Sequence, residues 1–233
     1  MLELHPEGFA EHQRPGREEV ELVAYTDEAG AGRLRESFAD VRTALVPPGW
    51  EEEWKRFHEP ATVGSLWIGP PWAQAEPGLV QVWIDPGQAF GTGAHATTQL
   101  CLKILHLQDP GSLLDVGCGS GVLALAASRL GFGPVTAIDS DPAAVEATLR
   151  NAAANHVVLD VRHIDALVNH LPDAEIVLAN IDLATLADLA PPSGCRLLVT
   201  SGYYEPDRPA FPGFDHIGRE AQDKWAADLF MRG

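Results

Sequence analysis

Five short apolar, β-branched runs separated by amphipathic stretches fill the chain between Ser112 and Ser201, and no other feature narrows its possible folds as much. The runs are Ser112 to Val116, Val135 to Asp139, Val157 to Val161, Ile176 to Ile181 and Arg196 to Ser201. A helix from about Thr97 to Leu107 precedes them, and Val122 to Leu130, Pro142 to Asn155, Asp165 to Leu171 and Leu183 to Ala190 fall between them. Strands joined through helices run parallel with right-handed crossovers and are covered on both faces. Asp141 before Pro142 marks a helix start and Gly131 a helix end. The tail breaks the rhythm: Phe214 to Arg219 and Trp225 to Met231 read as two strands around the polar turn Glu220 to Lys224. The expected fold class is therefore α/β and Rossmann-like, a mainly parallel seven-stranded sheet with an antiparallel edge.

The front of the chain has a different texture. Residues 1–46 offer a strand, Val20 to Thr26, and a helix, Glu28 to Leu45, too little to bury a core alone. Residues 47–86 carry seven prolines and five of the six tryptophans, which suggests a linker with a hairpin of Leu66 to Ile68 and Leu79 to Ile84. The tryptophans suit packing between two units, or a ligand cage. Residues 87–233 then form the main domain. With 45% hydrophobic and 21% charged residues the chain has globular composition. The longest apolar run, Val122 to Ala127, is far short of a membrane span, and the N-terminus has no basic-then-apolar signal, so a cytoplasmic protein without membrane contact is expected. Three cysteines without CxxC spacing exclude a disulfide scaffold and a cysteine zinc site. A formal charge of −17 repels phosphate backbones and attracts basic proteins, so no direct nucleic-acid partner is expected, although acidity can also serve solubility alone.

The sharpest local motif is Leu113-Leu114-Asp115-Val116-Gly117-Cys118-Gly119-Ser120-Gly121, a strand running through three glycines into a helix. A dinucleotide fingerprint would need its third glycine where Val122 stands, which disfavours pyrophosphate. The pattern resembles the S-adenosyl-L-methionine loop of class I methyltransferases. By that resemblance Gly117 and Gly119 admit the amino-acid part of the cofactor and Asp115 helps to hold its ammonium; a tight turn without ligand is the bland alternative. Asp139 closes the next strand, where a carboxylate can accept from both hydroxyls of a ribose. Asp139 or Asp141 could instead cap the following helix, and Asp141 suits the cap better. Asp165 could face an adenine or cap the helix expected after it.

Upstream lies Asp85-Pro86-Gly87-Gln88-Ala89-Phe90-Gly91-Thr92-Gly93-Ala94-His95-Ala96-Thr97-Thr98. This segment resembles the signature of the ribosomal protein L11 methyltransferases, D-P-G-x-A-F-G-T-G-x-H-x-T-T-x-L, with every fixed position met. Further resemblance lies in Trp54-Lys55, Phe57, Pro60, Leu66-Trp67-Ile68, Ala179-Asn180-Ile181, Ser201-Gly202 and Trp225, so the likeness spans about residues 50–233. It implies a class I methyltransferase fold and S-adenosyl-L-methionine as cofactor. It further implies a lid of Phe90 with Gly91-Thr92-Gly93, cofactor contacts at Thr98 and Gly117, Asp139 on the ribose, and Asn180 beside the sulfonium as the catalytic residue. His95 reads as a turn donor and stays outside the catalytic set.

The implied reaction is N-methylation of amino groups, lysine side chains or the N-terminus, of a basic ribosomal protein. Ile181-Asp182 after Asn180 lack the prolines and aromatic of the Asn/Asp-Pro-Pro-Tyr motif, which counts against adenine or glutamine as acceptor. Gly8-Phe9-Ala10-Glu11 resembles the middle of the family's N-terminal substrate-gripping domain, so that domain is expected to be shortened and recognition of the ribosomal protein weakened. A small-molecule methyltransferase on the same scaffold and a cofactor-binding module without turnover are the rival readings. Oligomeric state is not legible in the sequence.

Overall fold

The structure is a computed structural model that describes residues 10–13, 20–23, 28–38, 40–43, 59–85 and 93–233. The chain divides into two compact units, residues 1–51 and 52–233. In the first, β1 (Ala10–Gln13) pairs antiparallel with β2 (Val20–Val23), and α1 (Glu28–Ser37) follows. Ala31 and Leu34, three residues apart and so on one face, are buried. The helix expected to reach Leu45 stops at Ser37, because Asp40, Val41 and Thr43 beyond it are weak helix formers.

The second unit begins with a three-stranded sheet of β3 (Ala61–Val63), β4 (Leu66–Gly69) and β5 (Val80–Trp83). The hairpin joins β3 to β4, turning at Gly64, whose φ is +57°. β5 instead lies parallel to β4, so Leu66 to Ile68 and Leu79 to Ile84 are not the two arms of a hairpin. The proline-rich segment 70–79 is long enough to carry the chain back to the same end of the sheet, which a tight turn cannot do. Leu66, Ile68, Val82 and Ile84 are fully buried and share the core of the large domain, so this segment packs as part of it.

The large sheet contains β6 (Leu113–Val116), β7 (Val135–Asp139), β8 (Asp160–His163), β9 (Ile176–Asn180), β10 (Leu197–Tyr204), β11 (Phe214–Gln222) and β12 (Trp225–Arg232). The helices around it are α2 (Ala96–His106), α3 (Val122–Arg129), α4 (Pro142–Ala154) and α5 (Leu183–Ala187). Strand order is β8-β7-β6-β9-β10-β12-β11, and β12 alone runs against its neighbours. The expected α/β fold with a mainly parallel seven-stranded sheet and an antiparallel edge is thus what the chain adopts. Alternate residues of β6 and β9 feed two cores: Leu113, Ile176 and Leu178 on one face, Leu114, Val116, Val177 and Ala179 on the other. Because β7 and β9 flank β6 on opposite sides, the direction of winding reverses there. In open α/β sheets ligands bind in a crevice at such a reversal, which here lies at the carboxyl ends of β6, β7 and β9.

Three further elements, in the large domain, differ from expectation. The third strand occupies 160–163 instead of 157–161, because α4 is closed by His156 at φ +54° and by the Val157 N–H bonding back to Ala152 O (3.0 Å). The helix expected over Asp165 to Leu171 is a turn: Asp165 Oδ1 accepts from the Leu167 N–H (2.9 Å), and Val168 points into solvent with no core to cover. α5 stops at Ala187, three residues short, as Pro191-Pro192 approach.

Candidate functional site

At the end of β6 the chain turns through Gly117, Gly119 and Gly121, with φ of +71°, +55° and +82°. A Cβ at Gly117 would lie 2.4 Å from Ile181 Cγ2, and one at Gly121 2.8 Å from Thr148 Cγ2, so both strain and crowding demand glycine. The Gly117 and Cys118 N–H groups both donate to Ile138 O (2.9 and 3.0 Å), which seats the loop on β7. Gly121 is the N-cap of α3 and has no side chain to offer, so Asp115 caps the helix from β6: its Oδ2 accepts from the Ala124 N–H (3.1 Å). Asp115 is 1% exposed, and its Oδ1 is buried without a hydrogen-bond partner. Burial pushes this carboxyl up to about 7 against the lowering by the Ala124 N–H, and the charge of Asp139 adds to the rise. A buried acceptor with nothing to accept, beside a glycine loop, fits a ligand that brings a donor.

Asp139 ends β7 and uses both oxygens. Oδ2 accepts from the Gly119 N–H and Oδ1 from the Asp141 N–H, each at 2.9 Å. The cap of α4 belongs to Asp141, whose Oδ1 accepts from the Ala143 N–H (2.8 Å) with Pro142 in the first turn. Asp139 therefore ties the glycine loop to the strand end and retains lone pairs for further donors.

On the other side of β6, Asn180 ends β9 and its Nδ2 donates to Thr98 Oγ1 over a long 3.5 Å. Thr98 is buried in the first turn of α2. Next to Asn180, Ile181 donates its N–H to Ser201 O (3.1 Å), and Gly202, at φ +105°, passes so close that a Cβ there would sit 2.0 Å from Ile181 O. His95 is the N-cap of α2: Nδ1 accepts from the Thr97 N–H (3.4 Å) and lies 2.7 Å from Thr97 Oγ1, while its ring meets Trp225 edge-on. The crevice thus gathers Asp115, Gly117, Gly119 and Asp139 on one flank and Asn180 with Thr98 on the other. Phe90 and Gly91-Thr92 of the expected lid, together with Trp54-Lys55 and Phe57, lie outside the described residues.

Comparison with known proteins decides the family. The family profile "Ribosomal protein L11 methyltransferase (PrmA)" matches residues 17–204. The chain belongs to this family. The ribosomal protein L11 methyltransferase of Legionella pneumophila strain Corby is 40% identical over 204 residues, covering 80% of this chain and 69% of that protein. That of Symbiobacterium thermophilum is 39% identical over 201 residues, covering 78% and 66% respectively. The crystal structure of ribosomal protein L11 methylase from Lactobacillus delbrueckii subsp. bulgaricus superposes with a TM-score of 0.64 at 26% identity, over 73% of this chain and 97% of that one. The chain is accordingly a class I methyltransferase.

In this methyltransferase the glycine loop is also held from α4, by residues the sequence reading did not single out. Thr148 Oγ1 donates to Gly119 O (3.0 Å) and Asn151 Nδ2 to Ser120 O (2.9 Å). Asn151 Oδ1 accepts from the Asp85 N–H (3.0 Å), and Asn155 pairs with both the N–H and the C=O of Trp83 (2.8 and 2.6 Å). Asn151 thereby joins the end of the small sheet to the glycine loop. The signal was present: Thr148, Asn151 and Asn155 recur at i, i+3 and i+7, the core-facing spacing, on a helix whose other inward residues are alanines. Buried polar side chains at such positions must have partners to satisfy. Among the described residues no cluster of metal-ligating side chains occurs, and no helix is long and apolar enough to cross a membrane.

Proposed function

We propose that this methyltransferase uses S-adenosyl-L-methionine to methylate amino groups, lysine side chains or the N-terminus, of ribosomal protein L11. The observation that carries the cofactor assignment is the orphaned Asp115 Oδ1 beneath the glycine loop, with the Asp139 carboxylate at the end of the neighbouring strand. Asp115 would receive the ammonium, Gly117 and Gly119 would let the backbone approach the methionine part, Asp139 would accept from the ribose hydroxyls, and Thr98 would line the methionine side. When bound, S-adenosyl-L-methionine supplies an electrophilic methyl carbon on a sulfonium, which an amine lone pair displaces in line. Asn180 then acts on the acceptor. Because its Nδ2 is turned to Thr98, its Oδ1 is left to accept from an incoming N–H and aim the nitrogen lone pair. Orientation of this kind can contribute on the order of 7 to 11 kcal/mol. A lysine acceptor must first lose its proton, at an intrinsic pKa near ~10.4, and exclusion of water around Asn180 lowers that cost.

The formal charge of −17 supports a basic protein as acceptor over a nucleic acid. The names of the relatives support ribosomal protein L11 as that protein. The test is to incubate the protein with methyl-labelled cofactor and a bacterial lysate, then separate label by size. Label in a protein identified as L11 supports the assignment. Label confined to small molecules would replace it with a small-molecule methyltransferase, and no transfer at all with a binding module.

A further inference from the structure

The end of the crevice nearest Asn180 carries an aromatic group that neither the core nor the cofactor accounts for. Tyr204 is the last residue of β10, and Trp225, the first of β12, is its partner across the strands. Their rings stack at a centroid distance of 4.5 Å and an interplanar angle of 27°. His95 meets Trp225 edge-on at 5.0 Å. Tyr204 is 56% exposed, so its ring is not needed to fill the interior, whereas Trp225 is partly buried against the core and anchors the stack. The group shares its end of the sheet with Asn180: β10 runs parallel to β9 with Ser201 opposite Asn180, and Tyr204 lies three residues further on, about 10 Å along the strand. The first turn of α2 closes the gap, since it carries both His95 at its cap and Thr98 on the Asn180 amide.

Resting on the amine acceptor proposed above, we infer that Tyr204 and Trp225 form a shelf that holds the alkylammonium side chain of the acceptor as it enters toward Asn180. An aromatic face attracts an ammonium and packs equally well along its methylene stem. Formal charge next to the shelf is mixed, with Glu205, Asp207 and Asp223 set against Arg208 and Lys224, so the ring face and not a local carboxylate supplies selectivity. A face of this kind also tolerates added methyl groups, because an ammonium that has lost N–H donors keeps its charge. Tyr204 is therefore a specificity-determining residue for the acceptor, and cofactor binding is left to Asp115, Gly117, Gly119, Asp139 and Thr98.

The test has two arms. In steady-state methylation of purified ribosomal protein L11, Tyr204→Ala raises the KM for L11 about 5- to 10-fold, with the loss in KM and not in kcat, and S-adenosylhomocysteine affinity stays parental. Tyr204→Phe, which keeps the face and loses the hydroxyl, restores the parental KM. In the second arm, Nα-acetyl-trimethyllysine amide is titrated into the labelled protein, and the Trp225 indole NMR signal shifts in the parent and less in Tyr204→Ala. A parental KM in Tyr204→Ala together with an unmoved indole signal in the parent overturns the shelf, as does equal loss in the Phe and Ala variants. A parent that shifts the indole signal but does not methylate L11 refutes the acceptor proposed above and leaves the shelf standing.

Discussion

Asp139 and Asp141 stand two residues apart, and replacing each by alanine should have opposite consequences. In Asp139→Ala the Gly119 and Asp141 N–H groups lose their acceptor, and a ribose would lose a charged one. Hydrogen bonds to a charged group contribute about 1.5 to 3 kcal/mol, so S-adenosylhomocysteine should bind about 10- to 150-fold more weakly. The Asp141 N–H bond is exposed and the Gly119 one only part-buried, so water can replace the carboxylate and the loss falls on binding more than on stability. In Asp141→Ala the Ala143 N–H at the start of α4 goes uncapped. An N-cap contributes about 1 kcal/mol, about 2 to 4 °C in Tm for a unit of this size, with cofactor affinity within about 3-fold of the parent. Isothermal titration with S-adenosylhomocysteine and thermal melts of both variants separate the two roles. Parental binding by Asp139→Ala with a lowered Tm, or loss of binding by Asp141→Ala, would refute the assignment.

Three further outcomes follow from the same geometry. Asp115 binds its proton more tightly in the folded than in the unfolded chain, so its contribution to stability is complete below ~4 and is lost as pH rises through about 7; urea midpoints across this range should fall less in Asp115→Asn than in the parent. Asn180→Ala should keep most of its cofactor affinity and lose turnover at saturating cofactor; an unchanged kcat removes Asn180 from the mechanism. Asn151→Ala removes the two Asn151 hydrogen bonds, to Ser120 O and from the Asp85 N–H, which should cost about 1 to 3 kcal/mol in chemical denaturation and also weaken S-adenosylhomocysteine binding, whereas parental values for both would show that the link between small sheet and loop is dispensable.

What could be read in the chain and what could not have distinct physical causes. Buried parallel strands such as Leu113–Val116 and Ile176–Asn180 need uninterrupted apolar residues, and Asp141-Pro142 and Gly131 mark helix ends through local chemistry, so these elements lie close to where their residues suggested. β8 is an edge strand of mostly exposed residues, Asp160 to His163, and has no apolar pattern to betray it; the more apolar Val157 and Val158 suggest a strand but serve the exit from α4. The parallel course of β5 beside β4 depends on a tertiary partner that short strands do not announce. At the site, the glycines and the two carboxylates stand out because backbone approach and charge each need particular residue types. The capping of α3 by Asp115 and the grip of α4 on the loop emerge only once strand and helix are side by side.

The central claim is that the loop Gly117–Gly121, with Asp115 and Asp139, is a site for S-adenosyl-L-methionine and not for a dinucleotide. Parallel calorimetric titrations of the protein with S-adenosylhomocysteine and with NAD test it most directly. The structure predicts saturable binding of one S-adenosylhomocysteine per chain and no heat with NAD, because Val122 stands where the third glycine of a pyrophosphate loop would be. Saturable NAD binding without S-adenosylhomocysteine binding would contradict it.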